Sequence, residues 1–371
     1  MPERKPIFYD QERRRWRRTR LALEIAGGFF TLVLIVFLVD VGRKPELPDI
    51  LRPDIHGGLH PIRGRVKPKS AHPRGRKRKL AALGKVPENY DPLRVAFYVP
   101  YDPNSLASLQ LHYHDIDVLI PETLHSLNAD GTLGVVTPDG KFHPVPPDGH
   151  LSIVPDPKLA SWFESTGTEL PVMGLMNNSD GTVFQSDKLA VVLTTPAARQ
   201  RLIQTAVLYT QAQKQAGIVL DFESIPDANQ KDLTRFIEEL GKALHAATPT
   251  SLKLMVALPA ADWNYDYKSI SQHCDAIILM NYDQHWQTSP PGPIAAQDWF
   301  VTNIANILKI VPKEKLVMGI GNYGYDWPAK SKKVPNPVAQ VVTFQQGIIT
   351  ADESEADVEF DGDALNPHYS Y

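Results

Sequence analysis

From about residue 93 the chain predicts an α/β fold, a (β/α)8 barrel of the TIM type. Three observations predict it. Short apolar runs alternate with amphipathic segments, the pattern of parallel strands covered on both faces. Carboxylates and aromatics gather where those runs end, and barrel enzymes work at the C-terminal ends of their strands. No G-x-G-x-x-G follows the first run, which argues against a dinucleotide-binding sheet.

The elements follow in order. Arg94–Val99 (RVAFYV) reads as the first strand and Ile116–Ile120 (IDVLI) as the second. Asp130-Gly131, Asp139-Gly140 and Asp148-Gly149 then predict a hairpin-rich insertion. Pro171–Met176 (PVMGLM) is the third strand. Thr195-Pro196 reads as an N-cap with proline at the first helical position. Ala198, Leu202, Ile203, Ala206 and Val207 give that helix its apolar face. Gly217–Phe222 (GIVLDF) is the fourth strand. Asp227 and Gln230 have capping-box spacing before the stripe Leu233, Phe236, Ile237, Leu240 and Leu244. Leu252–Leu258, Asp275–Met280 and Leu316–Ile320 complete seven strands, with a helix over Ile294–Ile310. A partly helical stretch and the acidic run Asp352–Asp363 follow. No eighth strand is evident before Tyr371, so the barrel is expected to lack its last strand, as the front part of a longer polypeptide would.

Charge divides the 371 residues. Residues 1–86 hold 21 Lys and Arg against 8 Asp and Glu; residues 87–371 hold 18 against 34. A basic front and an acidic back suggest an anchor or tail joined to a separate domain. The acidic back also argues against nucleic acid as its ligand. Cys274 is the single cysteine, which excludes an intrachain disulfide and a Cys-rich zinc site. His112, His114 and His125 have no standard zinc spacing. No metal or cofactor is required.

Residues 1–20 form a basic tail with eight Lys and Arg. Leu21–Val41 then gives 21 largely apolar residues, about 31 Å of helix against a hydrocarbon core of about 30 Å. A transmembrane helix is the expectation. A cleavable signal peptide would have an unusually long n-region, and no A-x-A-like site follows. Only Arg43, Lys44 and Arg52 are basic in the next twenty residues. The positive-inside rule thus places the N-terminus in the cytoplasm and the barrel outside the plasma membrane. Residues 42–92, rich in proline and basic residues, read as a flexible linker, leaving 93–371 for the barrel.

The chemistry gathers at strand ends. In Gly217-Ile-Val-Leu-Asp221-Phe-Glu223, the two carboxylates are two residues apart and so share one face of the strand. Carboxylates that close resist double ionisation, and the one that keeps its proton suits general acid work. The sixth strand ends Met280-Asn281-Tyr282-Asp283. Tyr282 can donate to a developing charge, and Asp283 can orient a substrate or tune the pair. Tyr98, Asn177, Met280, Trp286, Asn322 and Tyr323 stand at or just beyond strand ends. They are candidates to line a sugar site, where flat aromatic faces serve well.

GIVLDFES, MNYD and GIGNYGYDW, in that order and spacing, resemble glycoside hydrolase family 18, the chitinase-like barrels. The resemblance runs from about Arg94 to the end. It is nearest to spore-germination-type peptidoglycan hydrolases, and nearer still to the barrel module that precedes polysaccharide deacetylase and glycosyltransferase modules in some bacterial membrane proteins. It implies that Glu223 is the general acid and that Asp221 orients the substrate's 2-acetamido group, whose oxygen is the nucleophile. It also implies that Tyr282 hydrogen-bonds that group and that Asp283 contacts the sugar. Two further aspartates of the family pattern are Val219 and Ala216 here. The first removes a partner that would share the proton of Asp221. The third strand ends Met176-Asn177-Asn178-Ser179 instead of a Gly-rich signature, and the eighth-strand tryptophan is not found. These departures favour an N-acetylated glycan other than chitin.

Three readings stand: a membrane-anchored hydrolase of a β-linked N-acetylhexosamine polymer, a non-catalytic glycan-binding module of a polysaccharide synthesis or export protein, and a glycosidase using two protein carboxylates. In the third, Asp283 would be the second carboxylate.

Overall fold

Each apolar run becomes a strand, and each amphipathic segment between them a helix. The computed structural model describes residues 92–102, 104–260, 262–329 and 338–371, with Glu24, Gly27, Gly28 and Thr31. Those four are helical, and Thr31 Oγ1 donates to the Gly27 carbonyl at 2.9 Å. The expected basic tail, membrane span and linker otherwise lie outside the described residues. Among the described residues no helix is long and apolar enough to cross a membrane.

The chain runs β1 (Val95–Tyr98), α1 (Ser105–His112), β2 (Val118–Ser126), β3 (Leu133–Val136), β4 (Phe142–Pro144) and α2 (Pro157–Thr166). It continues with β5 (Met173–Asn177), α3 (Ser186–Thr194), α4 (Pro196–Ala212), β6 (Gly217–Asp221), α5 (Gln230–His245) and β7 (Lys253–Pro259). Then come α6 (Tyr267–His273), β8 (Ala276–Met280), α7 (Gln297–Ile307) and β9 (Leu316–Met318). The seven expected strands pair in parallel in the order β1-β2-β5-β6-β7-β8-β9, as in a TIM-type barrel. The Asp-Gly pairs act as expected: Gly131, Gly140 and Gly149 turn with φ of 80°, 78° and 78°. The end of β2 and the strands β3 and β4 form an antiparallel extension beside the barrel strands. After β9 come an antiparallel pair β10 (Tyr323–Asp326) and β11 (Gln340–Thr343), helix α8 (Phe344–Glu353), and a short pair β12 (Glu359–Phe360) and β13 (Pro367–His368). No strand among the described residues bridges β9 to β1. Phe97 on β1, Met318 on β9 and Ile320 just beyond are exposed at the two edges.

The two-residue period of the strands separates two apolar layers. Val118, Ile120, Met173, Leu175, Val219, Met255, Ala257 and Ile278 fill the inside of the curved sheet, reached by Val95 at one edge and Val317 at the other. Their neighbours Met176, Ile218, Leu220, Phe222, Leu254, Val256, Ile277 and Leu279 face outward onto the helices. The whole predicted stripe of α5 is buried there. Phe222 lies against Phe236 with ring centroids 5.4 Å apart, so the residue between Asp221 and Glu223 is anchored in the outer layer.

Two expectations need correction. Tyr98 does not line a sugar site. It is buried in an outer cluster with Leu109, Leu119, Leu159 and Trp162, and its hydroxyl donates to Asp156 Oδ2 at 2.9 Å. Strand parity is the reason: Val95 faces inward, so Phe97 shares that face and Tyr98 points to the helices. Asp227 and Gln230 form no capping box; Asp227–Asn229 is a 3-10 turn and α5 starts at Gln230. Thr195 is, as expected, the N-cap of α4 with Pro196 at its first position, and its side chain makes no capping bond.

Phe236→Ala is expected to lower the unfolding free energy by about 3–5 kcal/mol, measured by urea titration. The fully buried ring leaves a cavity behind the strand that carries the paired carboxylates.

Candidate active site

The inward face of each strand changes character at its C-terminal end. On β2 the inward positions run Val118, Ile120, Glu122. On β5 they run Met173, Leu175, Asn177. Beyond Val219 on β6 they continue to Asp221 and Glu223, and beyond Ile278 on β8 to Met280 and Tyr282. Alternation alone carries five polar groups out of the apolar interior onto one rim.

Asp221 stands level with Asn177 in the sheet register. Its Oδ1 is buried and has no hydrogen-bond partner among the described residues. Burial, then the charges of Glu223 and Glu122, push its carboxyl up to about 8. Burial and then the charge of Asp283 push Glu223 up to about 7. The two titrations belong to a coupled pair. Tyr282 feels Asp221, Glu223 and Asp283 together, and burial with those charges keeps its phenol protonated. Tyr265, buried after β7, is held protonated by burial and by Asp262, Glu223 and Asp221.

Backbone geometry aims these groups. The β5–β6 ladder ends at Asn177 and Asp221, which leaves the peptide groups of Glu223 in need of partners. Asn178, fully buried, supplies both. Its Oδ1 accepts from the Glu223 N–H at 2.9 Å, and its Nδ2 donates to the Glu223 carbonyl at 3.0 Å. The next residue, Ser224, adopts a left-handed φ of 56°, and Ser186 Oγ donates to its carbonyl at 2.6 Å. Asp283 also has a left-handed φ, 59°. Its Oδ1 accepts from the hydroxyls of Tyr323 at 2.5 Å and Tyr325 at 2.9 Å. Non-glycine residues in that region carry strain, and here both flank the carboxylates. Gly319 lets this side close up, because a Cβ there would lie 2.7 Å from the Leu279 carbonyl oxygen and 3.0 Å from the Tyr282 ring.

Asp221, Glu223, Tyr282 and Asp283 are therefore brought together as expected. Asn177 joins them differently, donating from Nδ2 to Glu122 Oε1 at 3.0 Å. Tyr323 reaches the group through Asp283. Met280 is half-buried beside the inner apolar layer. Trp286 is half exposed on the loop after β8, its indole N–H donating to Thr288 Oγ1 at 2.8 Å. Asn322 is exposed between β9 and β10. Glu122 and Asn178 were not expected. Glu122 continues the alternation Val118-Ile120-Glu122, but Pro121 ends the strand as read from sequence, whereas β2 runs on to Ser126. Among the described residues no group of three or more His, Cys, Asp or Glu is arranged to hold a metal ion.

Asn178→Ala should leave Glu223 with two unpartnered peptide groups and a movable carboxyl. A tenfold or larger fall in kcat, with KM changed less than twofold, is expected in steady-state kinetics. Asp221→Asn tests burial directly. The folded carboxyl titrates near 8 against 3.8 unfolded, so the folded state binds more protons between those values and loses stability as pH rises through them. The variant should be more stable than the parent at pH 9, on the order of a few kcal/mol, and the gain should shrink towards pH 4 in unfolding titrations.

The family model for glycosyl hydrolases family 18 matches residues 178–370, more than half of the chain. The uncharacterized glycosylase YvbX of Bacillus subtilis (strain 168) is 30% identical over 156 residues, 40% of this chain and 44% of the relative. The cortical fragment-lytic enzyme of Bacillus anthracis is 24% identical over 217 residues, 55% of this chain and 48% of the relative. The chain spans about half the length of the curated relatives it matches. A chitinase crystal structure from Chromobacterium violaceum ATCC 12472 superposes with a TM-score of 0.62 at 23% identity, covering 76% of this chain and 82% of that one, which supports the fold. The segment matched by the family model carries Asp221, Glu223, Tyr282 and Asp283, and the chain belongs to glycosyl hydrolases family 18.

Proposed function

We propose that this protein is a membrane-anchored glycoside hydrolase that cleaves a β-linked N-acetylhexosamine glycan, chitin-like or peptidoglycan-like, with retention and with the substrate's own acetamido group as nucleophile. The observation that carries the reading is the pair Asp221 and Glu223 on one inward face, both holding protons into the neutral range, with Tyr282 and Asp283 beside them. A carboxyl with its proton near neutrality is what an acid catalyst needs.

Glu223 gives its proton to the glycosidic oxygen as the bond to the anomeric carbon breaks. The acetamido oxygen closes onto that carbon from the opposite face and forms a cyclic intermediate. Asp221 orients the acetamido group, and the Tyr282 hydroxyl hydrogen-bonds it. The Glu223 carboxylate then takes a proton from water, and that water opens the ring with net retention. Asp283, held by Tyr323 and Tyr325, contacts the sugar and adds negative charge beside Glu223.

The apolar segment 21–41 and its basic flank support a single membrane span, with the N-terminus cytoplasmic and the barrel outside. Fusion to, or association with, deacetylase and glycosyltransferase modules belongs to the same reading. One observation favours a second reading, a glycan-handling module without turnover: Val219 fills, fully buried, the inward position directly below Asp221, where a further carboxylate would share its proton.

Turnover of N-acetylglucosamine oligomers and peptidoglycan fragments separates the two. Glu223→Gln should lower kcat by about 100-fold or more while oligosaccharide binding persists. Binding by the parent chain without any turnover would favour the second reading. Because Glu223 must be protonated, kcat/KM should hold steady below about pH 6 and decline as pH rises through about 7. Oligomers lacking the 2-acetamido group should resist hydrolysis; their cleavage would point instead to a nucleophilic protein carboxylate such as Asp283.

A further inference from the structure

Asp221 is the least conventional group in the molecule. Below it on the same face lies Val219, buried and apolar. Its Oδ1 has no partner among the described residues. Beside it in the sheet register lies Asn177, whose amide does not turn to Asp221. It reaches the other way, to Glu122 on β2.

Glu122 is held on both oxygens. Asn177 Nδ2 donates to Oε1 at 3.0 Å, and the Tyr101 hydroxyl donates to Oε2 at 3.3 Å. Two donors on two oxygens suit an anion. Asn177 is itself braced, since its Oδ1 accepts from the Ser179 N–H at 3.1 Å. The Ser179 carbonyl in turn lies 3.0 Å from His125 Nδ1. A fixed carboxylate thus stands two strands away from the catalytic pair, with Asn177 on β5 between them, on the same inner rim.

We infer that Glu122, fixed at the rim by Asn177 and Tyr101, is a positioning residue of this centre, a negative neighbour that helps Asp221 to keep its proton. The assignment rests on the hydrolase reading for its catalytic meaning, not for its electrostatics. With Glu122 in place, Asp221 faces two negative neighbours, Glu223 and Glu122. Glu122 thereby supplies from β2 some of the electrostatic pressure that the apolar Val219 cannot supply from β6.

The other titratable groups around this cluster do not oppose that effect. Tyr282 from β8 and Tyr265 from the loop after β7 remain neutral phenols, their deprotonation disfavoured first by burial. Tyr101 is neutral for the same reason and donates to Glu122. Burial favours the neutral form of His125, so it brings no compensating cation. Asp283 acts on Glu223.

The test is a direct titration of Asp221 in the full chain by carbon-13 NMR of labelled aspartate, the signal being assigned by its loss in Asp221→Asn. Glu122→Gln removes the charge and keeps the shape. Its Asp221 midpoint should fall by about one pH unit, towards that of Glu223. Glu122→Met removes the charge without asking for the hydrogen bonds, and it serves if the glutamine variant does not fold. Glu122→Asp keeps the charge and should restore the midpoint to within about 0.3 unit of the parent. An unchanged midpoint in the neutral variants overturns the inference, as does a fall in Glu122→Asp equal to that in Glu122→Gln. Turnover of N-acetylglucosamine oligomers is followed in parallel. If the parent chain hydrolyses none of them, the hydrolase reading fails while the titration still decides the role of Glu122.

Discussion

Everything at the rim depends on burying two carboxyls at the end of an apolar strand. Ile218, Val219 and Leu220 are fully enclosed, so the positions that follow inherit a low-dielectric floor. An ionised carboxylate there loses hydration that the protein does not replace, and the proton stays on instead. Charge repulsion adds to this: Glu223 and Glu122 act on Asp221, and Asp283 acts on Glu223. The causes that shift these two carboxyls include burial and other carboxylates but no lysine or arginine. That combination retains protons, whereas salt-bridged carboxylates elsewhere in the same protein release theirs more readily. Asp275, bonded to His245 and Lys253, is shifted downward.

The outer layer makes this tolerable. Phe222 is pinned against Phe236, and Asn178 replaces the missing ladder bonds at Glu223. The left-handed residues Ser224 and Asp283 are each secured by side-chain hydroxyls. These two left-handed residues and the unpartnered Asp221 Oδ1 sit at the rim, with apolar packing beneath it. Both carboxyls are therefore held at fixed places on a rigid strand end instead of on a mobile loop.

Periodicity made much of this legible from sequence. All seven parallel strands follow from short continuous apolar runs, the α5 stripe from a spacing of three to four residues, and the shared face of Asp221 and Glu223 from a spacing of two. Where the reading failed, the failures are local and physical. Tyr98 was assigned to the site because it is aromatic and near a strand end, but parity sends it outward to Asp156. Glu122 was passed over because the predicted strand stopped at Ile120, two residues short of it; Pro121 sits on the outward face and the alternation continues through it. Asn178 left no signal because its partners are backbone groups, which no side-chain pattern reports. The capping box was lost to a 3-10 turn, since spacing does not distinguish the two.

Val219 and Glu122 are best understood together. A carboxylate below Asp221 on β6 would share its proton along the strand, through the barrel interior. Here that position belongs to the apolar layer, joined to Met173, Met255 and Ile278, and burying a charge among those side chains would be costly. A negative group can still act on Asp221 if it stands at the rim, where hydrogen-bond donors are available. Glu122 meets that condition: it is partly exposed and accepts from Asn177 and Tyr101. A charge displaced sideways by two strands, across β5, acts over a longer distance and therefore more weakly than one directly below. The proton on Asp221 is thus held chiefly by desolvation, with repulsion second, which is the order of causes found at that residue.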